Sequence, residues 1–209
     1  IEVPYGLVVE SGLIKSQIII NNDLGKLSEK TPSKTIIENL VDLALSKRDE
    51  LREAYKSIGE NINPLVLIQL PNDTSELMNE LDKNEKKVIE EILATKEINY
   101  NNRKLAVWLS EEKKNLEGIK EVDSPVEVLI FKQAIALGWD CPRAQLLIMR
   151  RDVKSEAFKI QTVGRVLRMP KGERYNSDLL NTAFVYSDLK TITIDNNETD
   201  PLVNLVKYQ

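Results

Sequence analysis

Five short apolar runs recur along the chain, each too brief for a helix and too uniformly apolar for a strand with one wet face. They are Leu65 to Leu70, Leu105 to Leu109, Val126 to Phe131, Leu146 to Met149 and Ala183 to Tyr186. Such runs mark strands buried on both sides, as in a parallel sheet. Amphipathic stretches separate them. Thr31 as N-cap and Pro32 in the first turn predict a helix in which Ile36, Leu40, Leu43, Leu51, Ala54 and Ile58 face inward, up to Gly59. A second helix is expected from about Thr74, with Leu77, Leu81, Val88, Ile92 and Leu93 inside, and a third from near Ser155. Alternating strands and helices predict an α/β domain with a mostly parallel central sheet and helices on both faces. In such a sheet a site is expected outside the carboxyl ends of the strands.

Residues 31 to 190 account for this pattern. The first thirty, with Ile18-Ile19-Ile20, read as a separate leading strand or interlobe linker. Asp195-Asn196-Asn197 opens a polar tail, so 191 to 209 are expected to lead to the next region of a larger protein. Asn61 to Pro64 and Asn101-Asn102 are turn signals. Because the chain begins at Ile1 within an extended apolar pattern, it is expected to be part of a longer polypeptide.

Composition removes whole classes of chemistry. With no histidine, serine–histidine triads, cysteine–histidine dyads and histidine metal sites are excluded within the chain. A single cysteine, Cys141, excludes an internal disulfide framework and a cysteine-built zinc site, and suits a reducing cytoplasm. The first residues lack a basic n-region followed by a long apolar run, and no run approaches bilayer length, so a soluble protein that is not secreted is expected. The net charge of -4 supplies no global attraction for nucleic acid, so a DNA contact would need a local basic patch.

The segment richest in chemistry is Gln161-Thr162-Val163-Gly164-Arg165-Val166-Leu167-Arg168. On a helix Gln161, Arg165 and Arg168 stand at i, i+4 and i+7, so one face presents an amide and two guanidinium groups. Fixed guanidiniums hold phosphoryl oxygens through paired hydrogen bonds that lysine cannot reproduce. Gly164 costs a helix about 1 kcal/mol against alanine, which makes sense if a ligand or another backbone comes close there. The plainer reading is an amphipathic helix with arginines on its wet face. Upstream, Phe131-Lys132-Gln133-Ala134-Ile135-Ala136-Leu137-Gly138-Trp139-Asp140-Cys141-Pro142 begins where an apolar run ends, placing its polar groups at the carboxyl edge of the sheet. Gly138 allows an unusual backbone, and Asp140 offers an acceptor for a ribose hydroxyl or an arginine. The alternative is a turn in which Asp140 caps itself and Trp139 fills the core.

The first segment resembles motif six of the superfamily-two helicases, Gln-x-x-Gly-Arg-x-x-Arg, and the second resembles motif five, written around Gly-x-Asp. The wording from 126 to 170, including GWDCPRA and QTVGRVLRMP, looks like the restriction (Res) subunit of type III restriction enzymes; residues 1 to 110 fit only in outline. This resemblance implies a RecA-like second motor lobe, with three layers, in a prokaryotic, cytoplasmic, ATP-dependent enzyme acting on double-stranded DNA. It implies that Arg165 and Arg168 reach the γ-phosphate of ATP, with Arg168 as the arginine finger and Gln161 as a phosphate or water contact. Gly138, Asp140 and Gly164 would line the nucleotide, while Lys132 and Gln133 would grip the DNA backbone. Lys132 departs from the pattern, which usually has threonine there. ATP and Mg²⁺ would be bound mainly by an N-terminal RecA-like lobe of the same polypeptide, and a modification methyltransferase subunit is an implied partner.

A phosphate-cradling loop G-x-x-x-x-G-K-(S/T) is absent: Gly25-Lys26 is followed by Leu27, and Ile20 stands where the first glycine belongs. Asp49-Glu50 reads as a solvated cluster and not as a Mg²⁺ site, so the chain alone is expected to lack ATP hydrolysis. Other readings remain open. Pro71-Asn72-Asp73 with Glu111-Glu112-Lys113 loosely imitates a P-D…E-x-K nuclease, whose carboxylates would hold Mg²⁺. The arginine face would also serve a binding module without catalysis, or a motor of DNA repair or remodelling.

Overall fold

The computed structural model describes residue 7 and residues 10–21, 35–70, 76–132, 139–150, 163–187 and 204–207. Its strands are β1 (Gln17–Ile20), β2 (Leu65–Gln69), β3 (Leu105–Trp108), β4 (Lys113–Lys114), β5 (Val128–Phe131), β6 (Ala144–Met149), β7 (Thr182–Tyr186) and β8 (Asn204–Lys207). They form one sheet in the order β4-β3-β5-β2-β6-β7-β1-β8. The β3–β4 hairpin is antiparallel; the remaining pairings are parallel. The α/β class with a mostly parallel sheet is therefore as expected, and each of the five apolar runs coincides with a strand.

Alternation along the strands sends side chains to two cores. Val66 and Ile68 join one, with Val128, Ile130, Leu146 and Ile148. Leu65 and Leu67 join the other, with Leu129, Phe131, Leu147 and Met149. Two helices, α1 (Ile36–Ser57) and α2 (Glu76–Ala94), cover the first face. The second is covered by Trp139, Ile119 and the helical turn bearing Val163 and Val166.

α1 starts later than Thr31-Pro32 suggests; those two residues lie outside the described ones. Its N-cap is Thr35, whose hydroxyl accepts from the Glu38 N–H while Glu38 accepts from the Thr35 N–H at 2.6 Å. This reciprocal pair satisfies two otherwise orphaned donors and so fixes the start. The buried stripe is also rotated from the expected one. Leu40, Val41, Ala44, Arg48, Leu51 and Tyr55 are buried, whereas Ile36 and Ile58 are exposed. Arg48 occupies an inward position because Pro64 O and Asn63 Oδ1 receive its guanidinium, with Glu127 3.4 Å away. In α2, Ile89 and Leu93 are buried and Val88 is exposed, a correction to its expected inward place. The side chains of Leu77 and Leu81 and the helix expected near Ser155 lie outside the described residues.

β1 is not separate from the sheet: it runs between β7 and β8, with Gln17 Nε2 donating to Thr182 Oγ1 at 2.7 Å. Asp49 and Glu50 are exposed and pair with Arg48 and Lys47, the solvated cluster read from sequence. Among the described residues, no helix is long and apolar enough to cross a membrane.

Candidate phosphate-facing arginine site

The site is built on the second face of the sheet from the described ends of two connections, β5 to β6 and β6 to β7. Parallel strands oblige each connection to travel from a carboxyl end back to an amino end, over a strand length of roughly 15 Å. Lys132 directly follows β5 and lies at the carboxyl edge, half-buried. Asp140 comes four residues before β6 and has already made the return journey. The expectation that both sit at the carboxyl edge is corrected for that reason: adjacency to β5 holds only for the first residues of the connection.

Arg165 and Arg168 belong to the second connection, between β6 and β7. Arg165 lies on the helical turn Val163 to Val166, whose Val163 and Val166 are buried. Arg168 does not share that helix. It stands in extended backbone, opposite Ile14 in an antiparallel bridge, just ahead of β1. Lys15 N–H donates to Leu167 O at 2.6 Å and Met169 N–H to Leu13 O at 3.0 Å. The i, i+7 relation across one helix is thus replaced by a short two-stranded clasp at the amino end of β1.

Both guanidiniums nevertheless converge on Trp139 and Asp140. Arg165 Nη1 donates to the Trp139 carbonyl oxygen. Arg168 Nη1 lies 2.6 Å from Asp140 Oδ2, and the two side chains are 47% and 50% exposed. They are therefore engaged within the chain and not projected free into solvent. Burial pulls Arg165 below the usual guanidinium range, and the nearby Arg168 pulls the same way while Asp140 opposes them. One carboxylate balances one of two guanidiniums, so the pair of arginines suits an anion with several oxygens. An exposed ion pair is worth at most about 1 kcal/mol, so a polyanion can compete for Arg168.

Neighbouring groups hold this frame. Trp139 is buried, packed edge-on against Trp108 with ring centroids 6.3 Å apart; the core-filling role was among the sequence alternatives. Three residues after Asp140, Arg143 is almost wholly buried. Its Nε donates to Ile119 O at 2.9 Å, and Nη1 donates to Asn63 O at 2.7 Å and Val126 O at 2.9 Å. Burial pulls its pKa down to about 10. Arg143 thereby ties the start of β6 to the chain ahead of β2 and β5. Lys15 is completely buried and its Nζ donates to the Arg168 carbonyl. Sequence reasoning missed both cations; the only signal for Lys15 is its place inside the run Leu13-Ile14-Lys15 ahead of Ile18.

At Gly164 an added Cβ would meet nothing within 4 Å, so among the described residues no part of the chain makes a close approach there. Gln133, Gly138 and Gln161 lie outside the described residues, as do Pro71-Asn72-Asp73. Glu112, the middle residue of Glu111-Glu112-Lys113, pairs with Lys86 at 3.0 Å and Lys114 at 2.7 Å.

No protein-family model matches the chain, and no curated protein matches it. Solved structures similar to it include an S. cerevisiae Dbp5 variant bound to Gle1 and IP6, at 15% identity and TM-score 0.40, covering 85% of this chain and 36% of that one. The C-terminal part of the Fun30 ATPase domain is similar at 12% identity and TM-score 0.38, covering 68% of this chain and 40% of that one. The ATP-dependent type ISP restriction-modification enzyme LlaBIII bound to DNA is similar at 14% identity and TM-score 0.47, covering 88% of this chain and 12% of that one. The chain thus spans well under two thirds of the length of each.

Proposed function

We propose that this chain is the second motor lobe of an ATP-dependent DNA translocase, of the kind found in the Res subunit of type III restriction enzymes. The observation that carries the reading is the convergence of Arg165 and Arg168 on Trp139 and Asp140. In it, two guanidiniums from one connection meet the Trp-Asp pair that precedes β6. The segments that carry these residues resemble motifs five and six of superfamily-two helicases, and that resemblance implies nucleotide-facing roles for Asp140, Arg165 and Arg168. An N-terminal lobe of the same polypeptide supplies ATP and Mg²⁺, and this chain closes over the triphosphate.

In that complex Arg168 exchanges the Asp140 carboxylate for phosphoryl oxygens and Arg165 neutralises charge beside it, with Gln161 as a further polar contact. ATP supplies the transferable phosphoryl group; the chain's own part is to bind, orient and stabilise charge. Gly138 and Gly164 leave room for the nucleotide, and Asp140 links the arginines to the connection that starts at Lys132 and Gln133. Those two hold the phosphate backbone of duplex DNA, a sequence-independent and salt-dependent contact. A cytoplasmic restriction system with a methyltransferase subunit completes the assignment.

The test is DNA-stimulated ATP hydrolysis by the full-length polypeptide. Arg168→Ala lowers kcat by about 10³, the scale set by arginine fingers, while the 209-residue chain alone hydrolyses no ATP. Unaltered hydrolysis in the variant would overturn the reading. If Arg165→Ala weakens binding of a partner and leaves ATP turnover intact, a binding module replaces the motor.

A further inference from the structure

We infer that Lys15 is a positioning residue for Arg168, fixing the backbone frame from which that arginine reaches a phosphoryl group. The inference rests on the motor reading above and assigns a function to a residue outside both sequence motifs.

Lys15 is 0% exposed, and among the described residues no carboxylate pairs with it. Its ammonium stem ends on the carbonyl oxygen of Arg168. A buried lysine without a carboxylate is costly, since burial disfavours its charged form. Apolar residues of similar length would fill the same volume without that cost. What they lack is a donor directed at Arg168.

The backbone of the same segment repeats the grip. Lys15 N–H bonds Leu167 O, Met169 N–H bonds Leu13 O, and Ile14 lies opposite Arg168. Gly12 closes the other end: its φ is +77°, and a Cβ there would stand 3.0 Å from Arg174 N and Glu173 Cα. Residues 12 to 15 are thus seated on 167 to 174 at both ends, leaving the clasp one register.

An arginine side chain is long, so its guanidinium is located by two things: the orientation of its Cα and the partner at its tip. Asp140 holds the tip at an exposed site, where the hold is weak. Lys15 holds the root from a buried one, where a hydrogen bond in low dielectric is stronger. When a triphosphate takes the tip from Asp140, the root is what keeps the guanidinium in line. Small displacements of a catalytic group carry large rate penalties, up to about 10²-fold for 1 Å.

The experiment is steady-state ATP hydrolysis by the full-length polypeptide carrying Lys15→Met, Arg168→Ala or both. Lys15→Met lowers kcat about tenfold with a much smaller change in KM for ATP, because misplacing Arg168 costs more where charge develops in the transition state than in the bound ground state. In the Arg168→Ala background the same change has no further effect, since Lys15 acts through Arg168. An unchanged kcat in Lys15→Met, or an equal loss with Arg168 already removed, would overturn the inference. If Arg168→Ala itself leaves kcat unchanged, the motor reading fails and the Lys15 inference fails with it. A cooperative urea transition shows that Lys15→Met folds; should it lack one, Lys15→Gln, which keeps a donor on an uncharged stem, is taken through the same cycle.

Discussion

Arg168 Nη1 and Asp140 Oδ2 stand 2.6 Å apart, joining the connection after β5 to the connection after β6 on a solvent-open face. With both side chains about half exposed, the pair contributes little to folding, because water screens the attraction and two long side chains lose freedom. Asp140→Asn therefore changes unfolding free energy by less than about 1 kcal/mol. On the proposed motor reading it lowers ATP turnover of the full-length polypeptide about tenfold, because the guanidinium would lose the group that holds its tip in place before the nucleotide binds. Urea denaturation and ATPase rates, measured on the same preparations, test both halves; a large stability loss with normal turnover would contradict them.

The sheet was legible because burial on both faces leaves its mark residue by residue: Leu65 to Ile68 are all apolar because each side chain meets a core, with Gln69 the buried polar residue that ends the strand. Helix starts were less legible, since Thr31-Pro32 and Thr35 both carry N-cap chemistry and only the reciprocal bond with Glu38 selects Thr35. The sequence marked Asp140, Arg165 and Arg168 as candidates, but not where the fold puts them. A motif that starts at a carboxyl edge does not reveal how far the chain then runs, and a parallel neighbour obliges it to return to the amino edge before β6. Lys15, Arg48 and Arg143 were invisible for a further reason. A cation in sequence reads as solvated, and the carbonyls that hold these three belong to segments far along the chain.

Gly164 separates stability from function. It sits in the helical turn with open space where a Cβ would be. Gly164→Ala in the isolated chain raises stability by about 1 kcal/mol, through helix propensity and a less flexible unfolded state. On the proposed motor reading, the same methyl group in the full-length polypeptide would stand between the turn and the nucleotide-bearing lobe, and kcat is expected to fall. A variant that is more stable and fully active would show that no partner approaches Gly164.

Arg143 is a structural cation. Arg143→Met fills most of its volume but withdraws donors from Ile119, Asn63 and Val126 carbonyls. At about 1 kcal/mol for each lost bond, the chain loses about 3 kcal/mol, with relief of guanidinium burial working against the loss. The urea midpoint falls accordingly. A midpoint equal to the wild type would mean that the carbonyls find other donors and that the start of β6 does not depend on Arg143.

Lys15 gives the chain a pH dependence of defined sign. Burial alone pulls its pKa from 10.5 to about 7 in the folded state. Between those values the unfolded chain binds a proton that the folded chain does not, so stability rises with pH across that window. Below about 7 both states are protonated and the folded one carries the full cost of a buried charge. The difference between the ends of the window is on the order of 4 kcal/mol, since each pKa unit corresponds to about 1.4 kcal/mol. Other groups titrate too, so the comparison is with Lys15→Met, which removes only this contribution. Its stability, relative to the wild type, is highest near pH 7 and declines as pH approaches 10; parallel profiles for the two proteins would show that the Lys15 amine keeps its ordinary proton affinity and is not sealed beneath Arg168.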